Sequence, residues 1–286
     1  MKLATFTAGA AAEIGIVQEK GLLPLSRLAP QIAPDMTTLI AHWDAVQADV
    51  ARIAAAGGDH LALSAVHLEA PIARPGKILA IGMNFRDHIE EGKMDLPEKQ
   101  IWFSKQSTCA NGPYDDIPVP PVSNSVDYES EMVAVIGKGG RYISKENAAA
   151  AVFGYCCGND VSARDWQSMT TQWMLGKSFD KHAPFGPWIT TADEIDNPHD
   201  LTIKCFVNGV PHQNASTDLM VFNVWDQISC LSQVMTLEAG DIVFTGTPGA
   251  IGAGRRPRPF LKDGDVVRIE IDKLGHIENT CRNEVV

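Results

Sequence analysis

Residues 127–138 read DYESEMVAVIGK, with carboxylates at 127, 129 and 131 and an apolar run close behind. Alternate residues of a strand line one face. Asp127, Glu129 and Glu131 are therefore expected to share a face with Val133 and Val135. Neighbours on such a face lie about 7 Å apart. Uncompensated carboxylates that close to a core repel one another and lose their hydration. A positive group is expected between them, and a hard divalent cation with oxygen ligands answers that need. Magnesium commonly takes a few carboxylates and keeps waters or substrate oxygens. The plainer alternative is a solvated strand end before the core begins.

A further ligand would have to come from elsewhere, and GYCCGNDVSARDWQ (154–167) offers one. GYCCG has the composition of a buried strand, and NDVSARD reads as its exit into a helix. Ser162 and Asp165 have capping-box spacing, which gives Asp165 a structural task. Asp160 stands before that cap, where strand ends present function, and is the better ligand. A turn residue is the alternative for Asp160 taken alone.

These residues need a scaffold, and 286 residues supply one large domain or a small one plus a larger one. We expect a small N-terminal domain over 1–72. It opens with strands KLATF and EIGIV, and carries a helix, TTLIAHWDAVQADVARIAAA, stopped by Gly57 and Gly58. ARPGKILAIGMNF then begins a strand-rich part over 73–286. LEAGDIVFTG and LKDGDVVRIEI repeat one pattern, Leu-x-x-Gly-Asp before a β-branched run, which predicts the same turn feeding a strand twice.

The balance is acidic, net −11, with no basic stripe, which argues against a nucleic-acid partner. No stretch reaches the roughly 20 apolar residues of a membrane span. The opening MKLATFTAGAAAEIGIV is too weak and broken for a signal peptide and reads as strands. Six cysteines without a CxxC pair read as free thiols, and the expected location is cytoplasmic. LGKS at 175–178 lacks the earlier glycine of a phosphate loop, and GAIGAG at 249–254 has the wrong spacing for a dinucleotide fold.

Four blocks in order carry a resemblance: IGMNFRDHIEE (81–91), DYESEMVAVIGK (127–138), NDVSARDWQ with LGKSFD (159–180), and FTGTPGAIG (244–252). Together they closely resemble the fumarylacetoacetate hydrolase family over about 73–286. The tail resembles the branch of fumarylacetoacetate-hydrolase-domain proteins found in bacteria and mitochondria.

That resemblance implies an α+β, strand-rich catalytic domain of mixed β-roll, barrel-like form, and a homodimer. It implies a magnesium or manganese site made by Glu129, Glu131 and Asp160, with Asp127 orienting the others. His88 and Glu91 match a His–Glu pair, and their i, i+3 spacing puts them on one helix face. A carboxylate beside a histidine fixes its tautomer and suits it to act as a base. Lys177 matches an active-site lysine; Arg164, Gln167 and Thr247 match positions near substrate. Phe85, Trp102, Trp166 and Trp173 are expected in the core rather than in a pocket wall.

The implied substrate is a small 2-oxo or 2,4-diketo acid. Hydrolysis of acylpyruvates through a pyruvate enolate is the leading expectation. Decarboxylation or keto–enol tautomerisation of oxaloacetate, and isomerisation of ring-cleavage products, use the same constellation and stay open.

Overall fold

The chain, seen in a computed structural model that describes residues 1–285, is built on two open sheets. The larger has eleven strands. Its main path runs Gly21–Leu23, Ala12–Gln18, Lys2–Thr7, Ala183–Thr191, Val152–Asn159, Ser130–Ile136, Ile242–Phe244, Ile78–Gly82 and Ile101–Lys105. The five-stranded sheet runs Val210–Ser216, Thr202–Val207, Val266–Ile271, Gly275–Asn283 and Ile117–Val119. The strand-rich α+β expectation holds, with no closed barrel among the described residues.

The strand Ser130–Ile136 explains its own sequence. Met132, Ala134 and Ile136 pack into a core shared with Ile203, Cys205, Ile269 and Ile277 of the smaller sheet. Val133 and Val135 face the opposite core, with Ile78, Phe153 and Phe244 and helix residues Leu39, Ile40 and Val50. From Met132 onward the strand is covered on both faces, which is why it is apolar at every position there rather than at alternate ones. Each fully buried Val or Ile there contributes about 1.5–3 kcal/mol.

The repeated Leu-x-x-Gly-Asp segments form the same turn twice. Gly240 and Gly264 both sit at φ +84°, a conformation that favours glycine. Asp241 accepts a hydrogen bond from the Glu238 amide (2.8 Å), and Asp265 accepts one from the Lys262 amide (2.9 Å). One copy leads into Ile242–Phe244 and the other into Val266–Ile271, one strand for each sheet.

Three local expectations need correction. The helix expected from Thr37 to Ala56 is two helices, Met36–Ala41 and Trp43–Ala56, parted at His42. No capping box forms at Ser162: its hydroxyl donates to the Asp160 carbonyl (2.9 Å), while Asp165 accepts from the Ser123 hydroxyl (2.7 Å). The acidic run is not one strand either. Val126–Asp127 pairs with Ser162–Ala163, and a new strand begins at Ser130. That break turns Asp127 toward the amides of Gly252 and Ala253, while it still shares Arg164 with Glu129.

No helix among the described residues is long and apolar enough to cross a membrane. All six cysteines are free thiols, and all but Cys230 are buried.

Candidate metal centre

Glu129, Glu131 and Asp160 come together although they lie on different segments. An oxygen from each lies within 4.8 Å of the others, and all three residues are buried. The pairing of Ser130–Ile136 with Val152–Asn159 brings the segments side by side, and the Asp160 amide donates to the Glu129 carbonyl (3.0 Å).

Three cations surround the cluster. Lys177 Nζ lies 2.6 Å from Glu129 Oε2 and 2.7 Å from Asp160 Oδ2. Lys105 Nζ lies 2.6 Å from Asp160 Oδ1. Arg164 places Nη2 2.7 Å from Glu129 Oε1 and donates from Nε to Asp127 Oδ2 (2.8 Å). Sequence reasoning missed Lys105. Its signal was available: a lysine closing the strand IWFSK has to bury its charge or leave the sheet edge.

Four carboxylates, those of Asp127, Glu129, Glu131 and Asp160, face three cations, so one charge has no partner. Glu131 carries that imbalance. Burial, with Asp160 and Glu129 nearby, pushes its carboxyl well above the ordinary 4.5; the Gly246 amide is its hydrogen-bond donor (2.7 Å). Burial also opposes ionisation of Glu129, but Arg164 and Lys177 outweigh it and hold that carboxyl at about 2. Lys177 is buried too, yet Asp160 and Glu129 keep its ammonium above the ordinary lysine range. An all-oxygen donor set with one uncompensated charge fits a hard divalent ion, and each carboxylate oxygen has a second lone pair for it.

A cavity of about 70 Å³ opens on this cluster. His88, Arg164, Gln167, Lys177 and Thr247 line it with Glu129 and Glu131. Arg164 donates from Nη1 to Gln167 Oε1 (2.9 Å), and Thr247 Oγ1 accepts from Gln213 Nε2 (2.9 Å). Trp173 also lines the cavity, against expectation, whereas Phe85 is in the core and Trp102 packs against it. Trp166 stacks edge-on against Phe179. A larger cavity of about 560 Å³ lies beside the Trp43–Ala56 helix and holds no carboxylate cluster of this kind.

His88 sits on the helix Arg86–Glu91, as its sequence suggested. Its Nδ1 is buried without a hydrogen-bond partner, and burial holds its pKa below 6.5. Glu91 is not its partner. Glu91 Oε2 accepts from the Ala250 amide (2.6 Å), and Asp87 Oδ2 accepts from Gly249 (3.1 Å).

Residues 77–282 match the family model described as fumarylacetoacetate (FAA) hydrolase C-terminal. The chain is 42% identical over 261 residues to the mitochondrial oxaloacetate tautomerase FAHD2A of Bos taurus, covering 91% of this chain and 83% of that protein. Its structure is similar to that of maleylpyruvate hydrolase from Sphingobium sp. SYK-6 in complex with manganese (II) ion and pyruvate. That likeness has TM-score 0.84 and 31% identity, with all of both chains covered. It is also similar to 5-carboxymethyl-2-hydroxymuconate delta-isomerase from Mycobacterium smegmatis, with TM-score 0.79, 28% identity and both chains fully covered. The mitochondrial label of the tautomerase relatives overturns the cytoplasmic expectation.

Proposed function

This chain belongs to the fumarylacetoacetate hydrolase family, and from that premise we propose that it is a divalent-metal-dependent keto–enol tautomerase of a small 2-oxo dicarboxylate such as oxaloacetate. The observation that carries the reading is the lone base. Burial lowers the pKa of His88, its Nδ1 has no hydrogen-bond partner, and Glu91 gives its Oε2 to the Ala250 amide instead of to the imidazole. Moving a proton within a substrate needs one base; hydrolysis also needs an activated water. The tautomerase relatives point the same way.

Glu129, Glu131 and Asp160 would hold magnesium or manganese, which when bound supplies Lewis-acid polarisation of the 2-oxo group. His88 takes the C3 proton, leaving the electron pair in the enolate. Lys177 and Arg164 offset the negative charge that develops, an electrostatic effect strongest where water is excluded. The imidazolium then returns its proton to the enolate oxygen, giving the enol with no atom gained or lost. Gln167 and Thr247 complete the substrate wall. The division at 72/73 and a homodimer belong to the same proposal.

A second reading is acylpyruvate hydrolysis. Glu91 stands one turn from His88 on the same helix, within reach of a paired arrangement. The deciding experiment uses metal-stripped protein with and without restored magnesium. Enol–keto interconversion of oxaloacetate is followed by ultraviolet absorbance, and pyruvate release from acetylpyruvate, fumarylpyruvate and oxaloacetate is followed separately. Magnesium-dependent interconversion without pyruvate supports the tautomerase. Pyruvate from the acylpyruvates replaces it with the hydrolase, and pyruvate from oxaloacetate alone with a decarboxylase.

A further inference from the structure

Asp127 is fully buried and accepts four hydrogen bonds. Its Oδ1 takes the amides of Tyr128 (3.0 Å) and Gly252 (2.9 Å). Its Oδ2 takes the Ala253 amide (3.0 Å) and Arg164 Nε (2.8 Å). The carboxylate therefore joins the guanidinium beside Glu129 to segment 249–254. Gly252 is shaped to this contact: a Cβ there would stand 2.4 Å from Asp127 Oδ1.

The same segment holds the helix that carries His88. Asp87 and Glu91, i and i+4 on that helix, accept from the amides of Gly249 and Ala250. Ala250 adopts φ +66°, which an alanine holds only where its surroundings force it. Both sides of that residue are pinned. Glu91 takes its N–H, and its carbonyl faces the Tyr128 hydroxyl and Arg255 Nε, each at 3.2 Å.

We infer that Asp127 is a positioning residue: it fastens segment 249–254, and through Asp87 and Glu91 that segment sets where His88 stands over the carboxylate cluster. The role rests on the reading of His88 as the base, but the mechanical link does not depend on the substrate. Asp127 is not among the residues that line the cavity, and acts through its hold on backbone amides and Arg164.

Two variants test the link from its two ends. Asp127→Asn keeps one acceptor oxygen but sets an amide N–H₂ or a weaker carbonyl against Arg164 and the Ala253 amide. Gly252→Ala pushes the segment off Asp127 while leaving the Asp127–Arg164 pair in place. Hydrogen exchange, read by mass spectrometry on full-length protein without substrate, compares residues 86–91 with 249–253. Both regions are expected to exchange about tenfold faster or more in each variant, as a shared local opening requires. Affinity for Mn²⁺ is expected to stay within a few-fold in Gly252→Ala, and kcat to fall more than KM changes. Faster exchange confined to 249–253, with 86–91 unchanged in both variants, would overturn the inference and leave Asp127 a local anchor. If wild type does not turn over oxaloacetate, the tautomerase reading fails, whereas the exchange result still decides the link.

Discussion

Lys105 Nζ lies 2.6 Å from Asp160 Oδ1, and both side chains are wholly out of contact with water. The lysine also donates to the Val161 carbonyl (3.1 Å), so it fixes Asp160 to the edge strand Ile101–Lys105. Without Lys105, Asp160 keeps only Lys177 as its cation and the cluster gains a second uncompensated carboxylate, and breaking a buried pair in this way costs about 3–5 kcal/mol. Lys105→Met is therefore expected to lower the unfolding free energy of metal-free protein by about 3 kcal/mol. Urea unfolding checks this, and a loss below about 1 kcal/mol would show the pair to be dispensable.

Glu131 and Glu129 make opposite contributions to stability as pH changes. The folded pKa of Glu131 is raised by burial and by its acidic neighbours. The folded protein then binds more protons than the unfolded one above the ordinary value of 4.5, so this stabilising contribution is lost as pH rises through the folded pKa. Glu129, held at about 2, stabilises above 4.5 and loses that contribution only as pH falls toward 2. Metal-free protein is thus expected to lose stability on the alkaline side of pH 4.5, and bound magnesium to remove much of that loss. Thermal unfolding from pH 5 to 8, with and without the ion, measures it. Identical slopes in the two series would mean that the ion does not bind at Glu131.

Much of this site was legible because it is local. The spacing of Glu129 and Glu131 and the position of Asp160 after a buried strand are properties of short segments, and the structure brings these residues together. The strand at 130–136 and the twin Gly-Asp turns were readable for the same reason. What sequence could not supply were contacts over long separations. Lys105 reaches Asp160 across 55 positions, and Glu91 reaches Ala250 across 159. The i, i+3 rule placed Glu91 beside His88, but a backbone amide from a distant loop competes for the same carboxylate. Ser162 failed as a cap because Ser162–Ala163 pairs with Val126–Asp127, and that tertiary pairing overrides a local motif.

His88 is expected to be needed in its neutral form. Burial lowers its pKa, so the acid limb of kcat/KM should have its midpoint below 6.5, with activity rising as pH increases through it. His88→Gln should cut turnover by about 10²–10⁴-fold, the usual contribution of a positioned base. Affinity for Mn²⁺ should survive, since His88 is outside the carboxylate cluster. A pH–rate profile and a Mn²⁺ titration on both proteins check the two halves; unchanged turnover in the variant would remove His88 from the mechanism.

Gly176 shows how closely the backbone must approach to place Lys177. A Cβ at 176 would stand 2.3 Å from the Gln167 nitrogen, 2.5 Å from its Cα and 2.6 Å from the Ala163 carbonyl oxygen. All three are backbone atoms, so no side chain can turn aside, and the helices Arg164–Gln167 and Met174–Lys177 would have to part. Lys177 is the next residue, and its ammonium holds one oxygen each of Glu129 and Asp160. A shift near 1 Å at such a group lowers rates by on the order of 100-fold. Gly176→Ala is expected to lose turnover on that scale while remaining folded. Gly9→Ala, where a Cβ meets nothing within 4 Å, should behave as wild type. Steady-state kinetics beside circular dichroism make the comparison. A folded Gly176→Ala protein with full turnover would mean that Lys177 finds its place without the close approach of those two helices.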